Sequence, residues 1–201
     1  MEIKSNQDYQ GEDFSDLTLN DLDIRKSQFI DCRFLSTELS ETNIDHCEFI
    51  NCDFSSAKMN ASVLTNNSFL NCKFRFTDLF TAVFIDCRMV GSSFEESNML
   101  GIEITRGDWS YTNLHNKNFS GLDLSDVNFT DSDLTGCDLE KVIFKNSILN
   151  GTILNKAKLS GADLRGAYIE RINLSELNLK SVKMDIAQCI TLATSYGAIV
   201  E

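Results

Sequence analysis

The chain has 201 residues, of which 42% are hydrophobic, with no proline and a net charge of −12 from 18 Lys/Arg and 30 Asp/Glu. That length holds one well-buried domain or one solenoid, and no run approaches the roughly 18 apolar residues of a membrane span. The acidic balance argues against nucleic acid as a direct ligand, because phosphates demand a basic footprint, and suits a basic protein partner instead.

The opening stretch, MEIKSNQDYQ, is polar and lacks the apolar core of a secretory signal, so a soluble cytoplasmic protein is expected. From Tyr9 a period of five takes over. Tyr9, Phe14, Leu19, Ile24, Phe29 and Phe34 begin a series that runs to Leu179 and Met184, which is (184 − 9)/5 + 1 = 36 large apolar centres without a slip. Two residues before each centre lies a second, mostly small residue, as in Cys32, Thr37, Thr42, Cys47, Cys52, Ala57 and Ser62. A spacing of two keeps side chains on one face of an extended strand, so the remaining step of three has to turn a corner. Each pentad is therefore one short side plus one bend, and its other three positions face water.

A second period, of 20, sets the number of sides. Phe14, Phe34, Phe54, Phe74 and Phe94 form one series, and Phe29-Ile30-Asp31-Cys32 returns as Phe49-Ile50-Asn51-Cys52 and Phe69-Leu70-Asn71-Cys72. Like residues above like in successive turns are the signature of a solenoid. Four pentads per coil give 36/4 = 9 coils. At roughly 4.8 Å per coil the rod is about 43 Å long. The predicted fold is all-β, a quadrilateral parallel β-helix over residues 1–184.

Four inward slots break the small-residue rule: Gln7, Glu12, Asn67 and Lys117. The first two are expected to fray at the open N-terminal end. Lys117, with Ile102 and Gly107 nearby, suggests a distorted coil across 102–117, and its ammonium is expected to reach solvent because burying it unpaired is costly.

On the outside, Ile30, Ile50, Leu70 and Val90 recur at 20-residue spacing, a candidate partner-binding stripe, before the column turns polar at Ser110, Thr130 and Asn150. Phe80 and Leu100 form a shorter pair on the opposite face, and Val63 aligns with Val83. Lateral packing of neighbouring turns is the other reading of such columns.

After Met184 the rhythm stops. Asp185 is a helix N-cap; Ile186, Cys189, Ile190 and Ala193 follow at i, i+3, i+4, i+7; Gly197 ends the helix before an Ala198-Ile199-Val200 tail. Residues 185–201 either cap the open end of the solenoid or serve as a dimerisation cap. In the second case Ile186, Cys189, Ile190, Ala193, Ile199 and Val200 form the homodimer interface, and a two-fold joint gives a rod of roughly 90 Å.

Nothing in the chain has the form of a catalytic centre. Cys32, Cys47, Cys52, Cys72, Cys87 and Cys137 occupy inward slots as small hydrophobes, so neither a disulfide framework nor a tetrahedral metal site is expected. His46 and His115 fall at outward positions on different turns. With no phosphate loop, nucleophile elbow or paired carboxylates, no enzyme activity, cofactor, metal or small-molecule substrate is expected.

Ala162-Asp163-Leu164-Arg165-Gly166 is a nearly intact A-[DN]-L-x-x pentad. From residue 7 to about 186 the chain resembles the pentapeptide-repeat family, which implies a right-handed coil. The stretch VKMD at 182–185 leading to GAIV at 197–200, together with Gly101-Ile102-Glu103-Ile104, resembles the Qnr and MfpA-like branch. That resemblance implies a DNA-mimicking homodimer that binds DNA gyrase or topoisomerase IV and protects it from quinolones or gyrase-directed toxins. A 90 Å duplex carries about 50 charges. The dimer carries twice −12, or −24, so mimicry would rest on local patches or shape. The register also lacks the outward loops of many Qnr proteins. A structural scaffold or protein-interaction module with an unrelated partner, including an effector, is the alternative the fold leaves open.

Overall fold

The computed structural model describes residues 3–200. Eleven short strands follow the pentads: β1 (Asp8–Gln10), β2 (Asp23–Arg25), β3 (Gln28–Ile30), β4 (Asn43–Asp45), β5 (Glu48–Ile50), β6 (Val63–Thr65), β7 (Ser68–Leu70), β8 (Val83–Ile85), β9 (Glu103–Thr105), β10 (Gly107–Asp108) and β11 (Val127–Asn128). All pair in parallel, and each pairs with the strand 20 residues away. Tyr9 lies beside Phe29, Phe29 beside Phe49 and Phe49 beside Phe69 in the sheet β1-β3-β5-β7. Ile24, Ile44, Leu64, Phe84 and Ile104 stack likewise in β2-β4-β6-β8-β9. The remaining sides are held by isolated bridges in the same register, from Asp13–Arg33 to Asp163–Lys183.

Continuous strands stack for about six turns, fewer than the nine coils that the pentad count predicts. Beyond them the 20-residue register is carried by single bridges, such as Asn128–Ile148 and Ile148–Tyr168. The last coil is then broken by a 3-10 turn at Leu174–Glu176. The difference arises at the corners. In almost every pentad the residue two past the centre takes a left-handed φ, between 50° and 79°. On the bridge-only sides the next amide closes a turn, as Thr77 N donates to Phe74 O at 3.3 Å and Ala82 N to Leu79 O at 2.9 Å. Positive φ confined to the third residue makes these type II turns, which shorten the extended segment to a single bridge.

The strand-bearing corners lack that turn bond, and this explains what fills the inward slots. A centre carbonyl such as Phe29 O is taken instead by a slot side chain 23 residues on. Cys52 Sγ donates to Phe29 O at 3.3 Å, Cys72 Sγ to Phe49 O at 3.4 Å and Cys87 Sγ to Leu64 O at 3.2 Å. Asn67 belongs to the same set. Its Nδ2 donates to Ile44 O at 2.7 Å, and its Oδ1 accepts from Cys47 N at 2.8 Å. Where the turn amide serves the carbonyl, the slot can be apolar, as at Val142, Ala162 and Ala167. Buried backbone acceptors need partners, and the slot supplies them where the corner does not.

The centres fill the axis. Phe29, Phe49 and Phe69 stack at 4.7 and 4.6 Å, as do Phe34, Phe54, Phe74 and Phe94 at 4.6, 5.1 and 4.8 Å. The two columns meet edge to face, for example Phe49 on Phe54 at 5.4 Å. Trp109 continues the stack onto Phe94 at 5.3 Å. Beside it Gly107 takes φ 106° and lies where a Cβ would meet Cys87 O at 2.2 Å, so the distortion expected across 102–117 is local to Gly107. Its register nevertheless holds, with Asp108 bridging both Arg88 and Asn128.

One expectation is overturned in this coil. Lys117 does not reach solvent: it is only 7% exposed, and its Nζ donates to Ser97 O at 2.8 Å inside the slot column. A carbonyl of the preceding coil lies within reach of the folded-in side chain, so the ammonium is bonded rather than orphaned. At the N-terminal end, Gln7 is exposed and Glu12 half-buried, while Ile3 folds over the first coil and is buried.

The helix α1 (Ile186–Ser195) closes the other end. Asp185 and Gln188 form a reciprocal capping box, and Gly197 N to Thr194 O with Ala198 N to Ala193 O make a Schellman stop. Gln188 faces inward and donates to Ala167 O at 2.8 Å and to Leu164 O, while Leu192 packs on the last coils. Among the described residues, no helix is long and apolar enough to cross a membrane.

Candidate protein-interaction surface

The chemistry of single side chains is muted. Among the described residues, no cluster of three or more His, Cys, Asp or Glu could hold a metal ion. Six cysteines are buried and only Cys189 is exposed. Burial pushes the Cys87 thiol up to about 12 and the Cys137 thiol up to about 11, so both stay protonated and unreactive at neutral pH. His46 lies against Asp45 at 2.7 Å and His115 against Asp133, on separate turns and at exposed positions.

What the molecule offers instead is surface. Ile30, Ile50 and Leu70 lie side by side at the ends of β3, β5 and β7, with Val90 continuing the column, and all four are half-buried. The helix residues are far more open. Ile186 is 81% exposed and Ile199 88%, with Cys189, Ile190 and Val200 also exposed and Ala193 half-buried. The apolar stripe of α1 therefore points away from the solenoid, because Gln188 and Leu192 take the inward face.

Three large apolar residues are exposed along another side of the rod. Phe80 and Leu100 occupy one column on adjacent coils, aligned by the bond from Thr81 N to Leu100 O at 3.0 Å. Phe76 stands at the other end of the same side as Phe80 and was not singled out from the sequence. The signal available was a bulky aromatic at a corner position that carries Asp16, Ser36, Ser56 and Asn116 in other coils.

Charge is strongly polarised along the rod. Residues 1–140 hold 25 Asp/Glu and 10 Lys/Arg, a net of 10 − 25 = −15, whereas residues 141–201 hold 5 and 8, a net of 8 − 5 = +3. The acids are also interleaved with bases one coil apart. Arg33 pairs with Asp13 at 3.6 Å, Lys58 with Glu38 at 2.7 Å, Arg75 with Glu95 at 3.6 Å and Lys158 with Asp138 at 3.7 Å. Such exposed pairs add little stability. They do break the acidic field into patches.

The comparisons agree with this architecture. A pentapeptide-repeat-region model matches residues 22–99, and a model of eight pentapeptide repeats matches 110–140 and 142–179. No curated protein matches the chain in sequence. Among solved structures, a trypsin-treated form of QnrB1, a plasmid-mediated fluoroquinolone resistance protein, superposes with a TM-score of 0.87 at 20% identity, covering 98% of this chain and 99% of that one. Full-length QnrB1 superposes at 0.78 with 20% identity, covering 97% and 99%. HetL, a protein involved in heterocyst differentiation regulation in the cyanobacterium Nostoc, reaches 0.69 at 19% identity, covering 87% and 88%. With two repeat models spanning most of its length and a coil that follows QnrB1 from end to end, the chain belongs to the pentapeptide-repeat family and has a Qnr-like fold.

Proposed function

We propose that this protein is a non-enzymatic homodimer that binds DNA gyrase or topoisomerase IV and protects it from quinolones or gyrase-directed toxins. The observation that carries the reading is the end-to-end likeness to QnrB1, whose own description is fluoroquinolone resistance. The likeness extends to full-length QnrB1, at a TM-score of 0.78. The outward apolar face of α1 supports the dimer, since Ile186, Ile190, Ile199 and Val200 otherwise leave a large apolar patch in water.

Joined at their C-terminal ends, two such chains place acidic arms on either side of a mildly basic centre. A ladder in which Asp13, Arg33, Asp53 and Lys73 alternate does not reproduce a phosphate backbone. The contact with the topoisomerase then rests on rod shape and local patches, with the half-buried Ile30, Ile50, Leu70 and Val90 stripe as one contributor. The direct test is binding of purified gyrase and topoisomerase IV to the immobilised protein at physiological salt. Micromolar binding supports the reading, and no binding of either enzyme removes it.

A scaffold with an unrelated partner is the second reading, favoured by the likeness to HetL. A protein that is monomeric and inert towards both topoisomerases fits that reading.

A further inference from the structure

We infer that Phe76, Phe80 and Leu100 form a docking site for a partner-protein segment that pairs an apolar side chain with a neighbouring Arg or Lys. The three residues are 53%, 45% and 60% exposed. Phe80 and Leu100 sit at a corner column whose other coils carry Asn20, Ser40, Asn60 and Ser120. Phe76 and Phe80 bracket one side of a coil.

Phe76 adopts φ 58°, the conformation that nearly every corner of the coil shares, and Asn, Asp and Gly suit it better than a bulky ring.

Charge names the occupant. Asp78 lies midway between Phe76 and Phe80, and its Oδ1 accepts from Asn98 Nδ2 at 2.8 Å and from Phe80 N at 3.1 Å, which holds the carboxylate in place. Glu96 stands on the next coil above Phe76, beside Glu95, whose carboxylate Arg75 already pairs at 3.6 Å. Arg75 already lies over the Phe76 ring, 4.7 Å from its centroid, so this ring stacks with a guanidinium in the free protein. A partner guanidinium or ammonium can sit over Asp78 between the rings while an adjacent aliphatic side chain covers Phe80 and Leu100. Apolar anchors ringed by complementary charge are the usual form of a protein hot spot.

The site has two tests, and only the second rests on the topoisomerase reading. The variants Phe76→Asn, Phe80→Ser and Leu100→Ser install residue types found at the same corners of other coils. In the first test, a fluorescein-labelled peptide alternating Leu and Arg is titrated against wild type and the triple variant. Alternating Ser/Arg and Leu/Glu peptides serve as controls. The expected result is that the Leu/Arg peptide binds about tenfold more tightly than either control, that the triple variant loses that advantage, and that Phe76→Asn melts above wild type. Equal binding by the triple variant overturns the proposal, as does a Ser/Arg peptide that binds as well as Leu/Arg. A sedimentation mass that falls in the triple variant shows a second copy as the occupant and also overturns it. In the second test, the triple variant should lose about tenfold in its effect on gyrase. If wild type acts on gyrase and the variant acts equally, the docking site falls while the topoisomerase reading stands. If wild type has no effect, that reading falls and the peptide titration alone decides the site.

Discussion

Lys117 Nζ donates to the Ser97 carbonyl, 2.8 Å away on the preceding coil, so a lysine fills a slot that small residues fill elsewhere. Burial lowers its pKa from 10.5, with Glu96 opposing the shift. The unfolded lysine then holds its proton to higher pH than the folded one, and folding gains stability as pH rises through the window between the folded value and 10.5. Lys117→Met removes the desolvated charge but leaves Ser97 O without its donor, so the two proteins should differ by about 1 kcal/mol or less at neutral pH. Urea unfolding of both proteins across the alkaline range should show wild type gaining stability relative to the variant as pH rises. A difference that does not change with pH contradicts the buried, charged lysine.

Asn67→Leu leaves Ile44 O and Cys47 N without the partners that Asn67 supplies, in a fully buried slot. The expected loss is about 2–4 kcal/mol, from two stranded backbone groups. The matched change Ala162→Ser, at a corner whose turn amide is present, should cost far less. Equal losses in chemical denaturation contradict the account of what the slots do.

The thiols give a pH and reactivity prediction. Cys87 and Cys137 ionise near 9 when unfolded but at about 12 and about 11 when folded. A folded pKa raised in this way means stability that is full below pH 9 and lost as pH rises from there towards the folded values. Cys87→Ala should reduce that alkaline loss. In the Ile186→Asp/Ile190→Asp variant, whose α1 face is open, a disulfide-exchange reagent should label Cys189 quickly and the other six thiols only at the rate of unfolding. Rapid labelling of several thiols in the native protein contradicts the buried column.

Much of the fold was legible because the two periods are independent and agree: five residues place every centre from Tyr9 to Met184, and twenty place Phe29 over Phe49. The helix and its caps at Asp185 and Gly197 were legible for the same reason, as local chemistry. The direction of the α1 stripe was not. Gln188 looks like a surface residue in sequence, and only the free carbonyls of Leu164 and Ala167 give it an inward role. Lys117 was misread for a related reason, since its partner, Ser97 O, belongs to another coil. Phe76 was missed because a corner residue has no periodic neighbours to draw attention to it. The nine coils of the pentad count exceed the roughly six turns of stacked strands because periodicity counts pentads, whereas strand length depends on which corners close a turn bond.

The outward helix face gives a test of assembly. Ile186→Asp with Ile190→Asp leaves Gln188 and Leu192 in place, so the solenoid end stays covered. Wild type should sediment as a dimer and the double variant as a monomer with unchanged melting. The same mass for both proteins contradicts the dimer interface.

Action on a type II topoisomerase is read out by DNA supercoiling with purified gyrase, with this protein titrated in the presence and absence of a fluoroquinolone. The prediction is that micromolar protein restores supercoiling in the presence of the drug, or inhibits the enzyme in its absence, and that the Ile186→Asp/Ile190→Asp variant does so more weakly. Unaltered supercoiling and drug sensitivity at saturating protein, with topoisomerase IV decatenation equally unaffected, would contradict it.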